Sequence, residues 1–355
     1  KELMVMQEMQ QPKKTFLLNR GQYDAPTKQV FPNTPEKILP FSSQLPKNRY
    51  GLAQWLTDAR NPLTARVAIN HLWQNFFGKG LVKTAEDFGN QGEMPSHLNL
   101  LDWLAIELRD NNWDIKKINK LIVMSATYQQ DSKASGMLME KDPENKLLAR
   151  GPSIRLSAEM IRDNALVASG LLNKKLGGKS VYPYQPEGLW EINGTKYNQD
   201  STDQVYRRSL YIVLKRTVPN PTLANFDGPT RASCLVRRQS TNTPLQALVT
   251  LNDPTFIEAA KVIGESITKQ QNTAAAISKA YQQLTGTTPT TKQMALLNAL
   301  QQSEYNKFKA YPNKIKGWIN TGLYKIDKTL DPYWVAANSV VASTILNSDA
   351  TITKR

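Results

Sequence analysis

Apolar residues at Ala65, Ile69, Leu72, Trp73 and Phe76 recur at the spacing of one buried face of an α-helix. The same period returns at Leu101, Leu104, Ala105 and Leu108, at Ile115, Ile118 and Ile122, and at Ala158, Ile161, Ala165, Ala168 and Leu172. A residue able to cap a helix precedes each run: Asn61 followed by Pro62, then Ser96, Asp114 and Ser157. A cap followed by a stripe constrains a chain strongly, because it sets both the type of element and where it starts. Thr243 with Pro244 and Asp253 with Pro254 repeat the signal, and further helices are predicted near 274–284, 291–308 and 332–346. Against roughly nine or ten helices, only Thr15–Asn19 and Ser209–Lys215 read as strands, and the latter reads equally well as a short buried helix. The fold class is therefore mainly α: an irregular multi-helix bundle with long ordered loops and at most a minor β element.

Two stretches lack the period. Residues 1–50 are punctuated by proline and turn pairs, which predicts an extended arm. Residues 177–205 mix glycine, proline and aromatics as a long ordered loop. The expected division is an arm or linker over 1–50 and one helical domain over 51–355. The 40% apolar content of 355 residues is enough for a core of that size. No run of about 18 uncharged apolar residues occurs, so no membrane span is expected. The chain opens "KELMVMQEMQQPKK", with neither the order of a secretory signal nor an initial Met. A leader or whole domains are expected upstream.

The net charge of +15 invites a nucleic-acid reading. The lysines are instead scattered among Asn, Gln and Thr, with no basic run carrying regularly placed aromatics, so no nucleic-acid partner is expected. A basic surface remains that could meet an anionic glycan or envelope component. The single cysteine, Cys234, excludes an internal disulfide and a CxxCH haem attachment, and is expected to be a buried structural thiol. With only His71 and His97 present, no metal site is expected. Ser-His-Asp, GxSxG, HExxH, Walker and GxGxxG patterns do not occur in a convincing context.

Polar residues set inside the helical runs are the candidates for a site. Arg66, Asn70 and Gln74 form a line four apart beside the first apolar stripe. They read either as the lining of a ligand pocket or as structural, with Arg66 paired to a buried carboxylate such as Asp87. Asp87 or its neighbour Glu86 needs a cation if buried, with Arg66, Arg237 and Arg238 as candidates. Glu159 and Asp163 lie at i and i+4, the residue types glycosidic cleavage uses, or else a salt-bridged clamp. These two, Asp87 and His97 are the catalytic candidates. In "VRRQSTNTPLQALVTLND", Arg237, Arg238 and Asn242 precede a helix start and could bind an anion, or tie down the loop over 216–236. Tyr182, Tyr184, Trp190 and Tyr197 could stack on sugar rings or pack over helices, and Trp190 joins the ligand-binding candidates.

The stretches "NPLTARVAINHLWQNFFGKGLVKTAEDFGNQGEMPSHLNLLDWLA", "LIVMSATYQQDS", "LSAEMIRDNALVASGLL", "YPYQPEGLWE" and "YRRSLYIVLKRTVPNPTLANFDGPTRASCLVRRQSTNTPLQALVTLNDPTFIEAA" resemble, in that order, the PSD1 (DUF1553) family. That family is the carboxyl-terminal module of planctomycete-type secreted cytochrome proteins. The resemblance runs from about Lys1 to Asn347. It departs from the family pattern at His71, where Arg is usual, and at Met94, where a second proline is usual. The first departure removes a fixed cation from the motif helix.

The resemblance implies a larger exported protein with a c-type haem domain and a DUF1549 domain upstream as partners, and hence an extracytoplasmic location. Haem c would sit only on the upstream domain, leaving no cofactor on this chain. Glycan or envelope proteins are further possible partners. The function expected is an accessory or interaction role in polysaccharide handling or electron transfer. The alternative is a glycan-acting hydrolase or oxidoreductase that uses carboxylates and arginines of the polar helices.

Overall fold

A computed structural model describes residues 2–191 and 194–354. Helices dominate, with two small two-stranded sheets, as the cap and stripe signals predict. The chain divides into two compact units, Lys1–Gln130 with Met137–Ala149, and Asp131–Gly136 with Arg150–Arg355.

In the first unit the arm carries a hairpin, β1 (Thr15–Leu18) against β2 (Pro26–Val30), antiparallel and irregular between Phe16 and Leu18. The sequence predicts β1 but not β2, whose opening proline argues against a ladder strand. Pro26 is tolerated there because it sits at the first position of a strand in a two-stranded ribbon. Helix α1 (Arg49–Leu56) starts under Asn48, whose side chain accepts from Gly51 N, and Trp55 Nε1 donates to Leu39 O at 2.8 Å.

Helices α2 (Thr64–Phe77), α3 (Leu98–Asp110) and α4 (Ile115–Val123) enclose this unit's core. Ile69, Trp73, Leu101, Leu104, Leu108, Ile118 and Ile122 are buried in it, and Trp73 stacks on Phe77 at 4.1 Å. Asn61 accepts from Leu63 N and Thr64 N, so it caps a turn just before α2 winds. Asp114 caps α4 as expected, accepting from Lys117 N at 3.0 Å. Ser96 does not cap α3. Its hydroxyl donates to Leu81 O, and His97 holds the cap position without a side-chain bond.

After the short α5 (Gly136–Lys141), the second unit is built on α6 (Ala158–Ser169), α9 (Pro254–Thr268), α10 (Thr273–Thr285), α11 (Thr291–Ala310) and α13 (Pro332–Leu346), with the shorter α7 (Pro221–Asn225), α8 (Pro244–Asn252), α12 (Lys316–Ile319) and α14 (Asp349–Ile352) between and after them. Helices α9 and α13 pack closely because Ala259, Ala260, Ser339 and Ala342 are small and fully buried. A Cβ on Gly264 would lie 2.5 Å from Ser339 N, so the helices could not approach this closely with any larger residue. Strands β3 (Ile154–Arg155) and β4 (Thr353–Lys354) form a minimal antiparallel pair.

Ser209–Lys215 forms no strand. Ser209–Tyr211 is one 3-10 turn, and Ile212 makes only an isolated bridge to Val181. The β-branched and aromatic content suggested a ladder, but Asp163 holds Ser209 N at 2.8 Å and the Ser209 hydroxyl at 2.7 Å, which fixes a turn at the start of the run.

Candidate functional site

A cleft of about 820 Å³ opens in the second unit along one face of α6. Ser157 starts the helix by accepting from Met160 N, and the helical period then brings Glu159, Met160, Asp163, Asn164 and Val167 to the cleft. Arg208, Leu210, Leu214, Leu223, Arg231, Arg238 and Leu284 are among the residues across from them. The walls are therefore aliphatic, with carboxylates and guanidinium groups set among them.

Glu159 and Asp163, named together from their i, i+4 spacing, do share this cleft, and both are engaged. Arg238 donates to Glu159 through two nitrogens at 2.6 and 3.1 Å, a bidentate pair. Burial pushes the half-buried Glu159 carboxyl up, but Arg238 and the helix-start donors outweigh it and hold the group below its ordinary value of 4.5. Asp163 Oδ1 accepts both bonds from Ser209, and its Oδ2 lies 3.7 Å from Arg208 Nε. Behind them, buried Arg162 donates to Arg207 O at 2.9 Å and Val205 O at 2.5 Å, which fixes the far wall against the helix.

A lowered carboxyl stabilises the fold above its unfolded value, and that contribution is lost as pH falls through the folded value. Glu159→Gln should therefore cost stability near neutral pH, and the difference from the parent should shrink below about pH 4.5. Thermal melts of both proteins across that range would detect it. A difference that grows on acidification would mean that Glu159 is not held as an anion.

The arginine block splits between two environments. Arg238 joins the cleft, while Arg237 is exposed. Asn242 lines a separate small cavity of about 150 Å³ with Arg155 and Gln246. Around it the bonds serve the loop backbone: Arg155 donates to Thr241 O, Gln246 Nε2 donates to Asn225 O and Thr241 O, and Asp227 accepts from Thr241 N. Thr243 makes no side-chain cap bond to the helix it precedes, α8 (Pro244–Asn252). Trp190 packs edge-on against Tyr182 at 5.9 Å and Tyr197 at 5.0 Å, with Lys215 Nζ 4.6 Å from its ring. These aromatics are engaged with one another, and none lines the cleft among the described residues.

The polar line on α2 belongs to the first unit and is not part of this cleft. Asn70 is fully buried, and its amide clamps Val82, accepting from Val82 N at 2.8 Å and donating to Val82 O at 3.0 Å. Arg66 pairs with Asp102 on α3 at 2.6 Å, not with Asp87. The half-buried Asp87 accepts from Gly89 N at 2.7 Å and so stabilises its own turn. Because the Arg66–Asp102 pair is about a third exposed, Asp102→Ala should cost only about 0–1 kcal/mol. A thermal melt losing several times that would show the pair to be better shielded. Gln74 Oε1 is buried without a hydrogen-bond partner.

His97 Nδ1 lies 3.1 Å from Ser96 Oγ, and His71 is exposed. No cluster of metal-ligating residues occurs among the described residues. Cys234 is exposed, contrary to the buried thiol expected for it, because the loop around it is exposed throughout 231–240.

Sequence reasoning missed a second polar centre. Glu258, Lys261 and Glu265 lie at i, i+3 and i+7 inside α9, and each is at most 2% exposed. Glu258 accepts from the hydroxyls of Tyr184 and Tyr206 at 2.8 Å each and from Tyr324 N at 2.6 Å. Lys261 Nζ donates to Thr321 O at 2.5 Å and Tyr324 O at 2.7 Å, while Glu265 takes Lys269 at 2.7 Å. Burial lowers the Lys261 ammonium, with Glu258 acting against it. Burial and the Glu258 carboxylate push both tyrosine hydroxyls up, so they stay protonated donors. The signal was present as charges inside an apolar stripe, "FIEAAKVIGE", the same pattern that drew attention to α2.

Neither the curated proteins nor the solved structures gave a match. The family model for PSD1, a protein of unknown function (DUF1553), matches residues 48–301, which is more than half of the chain. The chain belongs to the PSD1 family.

Proposed function

We propose that this chain is a binding module and not a catalyst: the carboxyl-terminal helical part of a larger exported c-type haem protein, with an accessory or interaction role in polysaccharide handling or electron transfer. Its immediate partners are the upstream cytochrome and DUF1549 domains, its setting is extracytoplasmic, and the haem sits upstream. What supports that setting is the resemblance of the sequence motifs to the family pattern and the export that the resemblance implies. A lone cysteine, which cannot supply the two thiols of a c-type attachment, supports the placement of the haem elsewhere.

The observation that carries the binding reading is the engagement of both cleft carboxylates. Glycosidic cleavage needs one carboxyl protonated at working pH and a second one free to attack or to activate water. Glu159 is held as an anion by Arg238, and Asp163 accepts two bonds from Ser209. A glycan-acting hydrolase or oxidoreductase would require these pairs to open. Incubation with neutral and acidic polysaccharides from mildly acidic to neutral pH, followed by an assay of new reducing ends, tests this. No release above the buffer control is expected. Release that disappears in Glu159→Gln or Asp163→Asn would replace the binding reading with a hydrolase.

A further inference from the structure

The chemistry of the cleft narrows what it can hold. Met160, Val167 and Leu210 remain 58%, 57% and 68% exposed within a concave surface, so an apolar ligand would remove them from water. Their aliphatic character, with no aromatic residue among the described lining residues, suits an alkyl chain better than a sugar ring, which gains most from a flat aromatic face. A volume of about 820 Å³ is ample for a small ligand.

The charges add a head group. Arg238 is engaged by Glu159, whereas Arg208 meets Asp163 only as a loose ion pair: Asp163 Oδ1 accepts from Ser209, and Oδ2 stands 3.7 Å from Arg208 Nε, beyond ordinary hydrogen-bonding distance. No carboxylate among the described residues pairs with Arg231, which also lines the cleft. Two guanidinium groups thus retain donors at the edge of an aliphatic surface. We propose, resting on the reading of this cleft as a binding site, that its ligand is an aliphatic carboxylate, with the alkyl chain against Met160, Val167 and Leu210 and the carboxylate on Arg208 and Arg231.

The whole chain, labelled at its methionine methyls, reports the answer by NMR, because Met160 lies in the cleft. Three probes of one chain length separate the contributions: octanoate, neutral octanamide and cationic octyltrimethylammonium. Octanoate should shift the Met160 methyl and bind about tenfold or more tighter than octanamide, the scale of a charge-assisted bidentate contact. Octyltrimethylammonium should bind weakest. Arg231 is exposed, so Arg231→Ala should melt with the parent while losing about threefold or more in octanoate affinity and none in octanamide affinity. Equal binding of the three probes, or no Met160 shift with octanoate, overturns the proposal. If an oligosaccharide shifts Met160 where octanoate does not, only the ligand class is wrong and the binding reading stands. Carboxylate-dependent reducing-end release would remove the binding reading itself.

Discussion

Glu258→Ala should lower the free energy of unfolding by about 3–5 kcal/mol, the range for breaking a buried charged network on one side. Glu258 has no exposed surface, and its carboxylate is the common acceptor for Tyr184, Tyr206 and the Tyr324 amide. Removing it leaves three donors facing a cavity, and each unsatisfied donor costs about 1–3 kcal/mol. The alanine also leaves Lys261, fully buried one helical turn along, without the anion that favours its charged form. Glu258→Gln keeps the shape and one acceptor, so its loss should be smaller, about 1–2 kcal/mol. Urea unfolding of both variants beside the parent decides it. Equal, small losses would mean that the tyrosines find other partners.

The same centre explains a glycine. Gly322 sits at φ +78°, and a Cβ there would come within 2.1 Å of the Glu258 carboxyl carbon. The segment carrying Thr321, Leu323 and Tyr324 is thus held against α9 by backbone bonds to Lys261, Tyr184 and Glu258.

Asn70→Ala should cost about 2–4 kcal/mol in the first unit. Val82 is 2% exposed, and both of its backbone groups depend on the Asn70 amide, so alanine leaves one buried N–H and one buried C=O unpaired at about 1–3 kcal/mol each. Asn70→Asp separates the two bonds: it keeps the acceptor for Val82 N but sets a carboxylate against Val82 O, so it should be no better than alanine. Chemical denaturation of the three proteins provides the measurement. A loss below about 1 kcal/mol for alanine would mean that water replaces the amide.

Helix positions were legible because caps and apolar periods are local. Asp114, Ser157 and Asp253 each cap the helix they were expected to cap, and the stripes at Leu101–Leu108 and Ala158–Ala165 are buried. What sequence could not give was the partner of a polar group. Arg66 was expected to meet a carboxylate and does, but Asp102 lies on a neighbouring helix, and nothing local distinguishes it from Asp87. The pairing of Glu159 with Arg238 joins residues 79 positions apart, so the shared helix face could be read whereas the ion pair could not. The charges of α9 carried the same warning as those of α2, but the three groups that Glu258 binds come from three segments distant in sequence from it. Ser209–Lys215 misled because β propensity reports a half-buried surface, which a turn also provides.

The charge state of Glu159 tests the binding reading most directly. Its side-chain carboxyl can be titrated by carbon NMR with site assignment from Glu159→Gln. In the parent the midpoint should fall below the ordinary 4.5. In Arg238→Ala it should rise, because burial then acts with less opposition. A parent midpoint above 4.5 would leave a protonated carboxyl in the cleft at mildly acidic pH, which is the state of a general acid, and would contradict a site built only to bind.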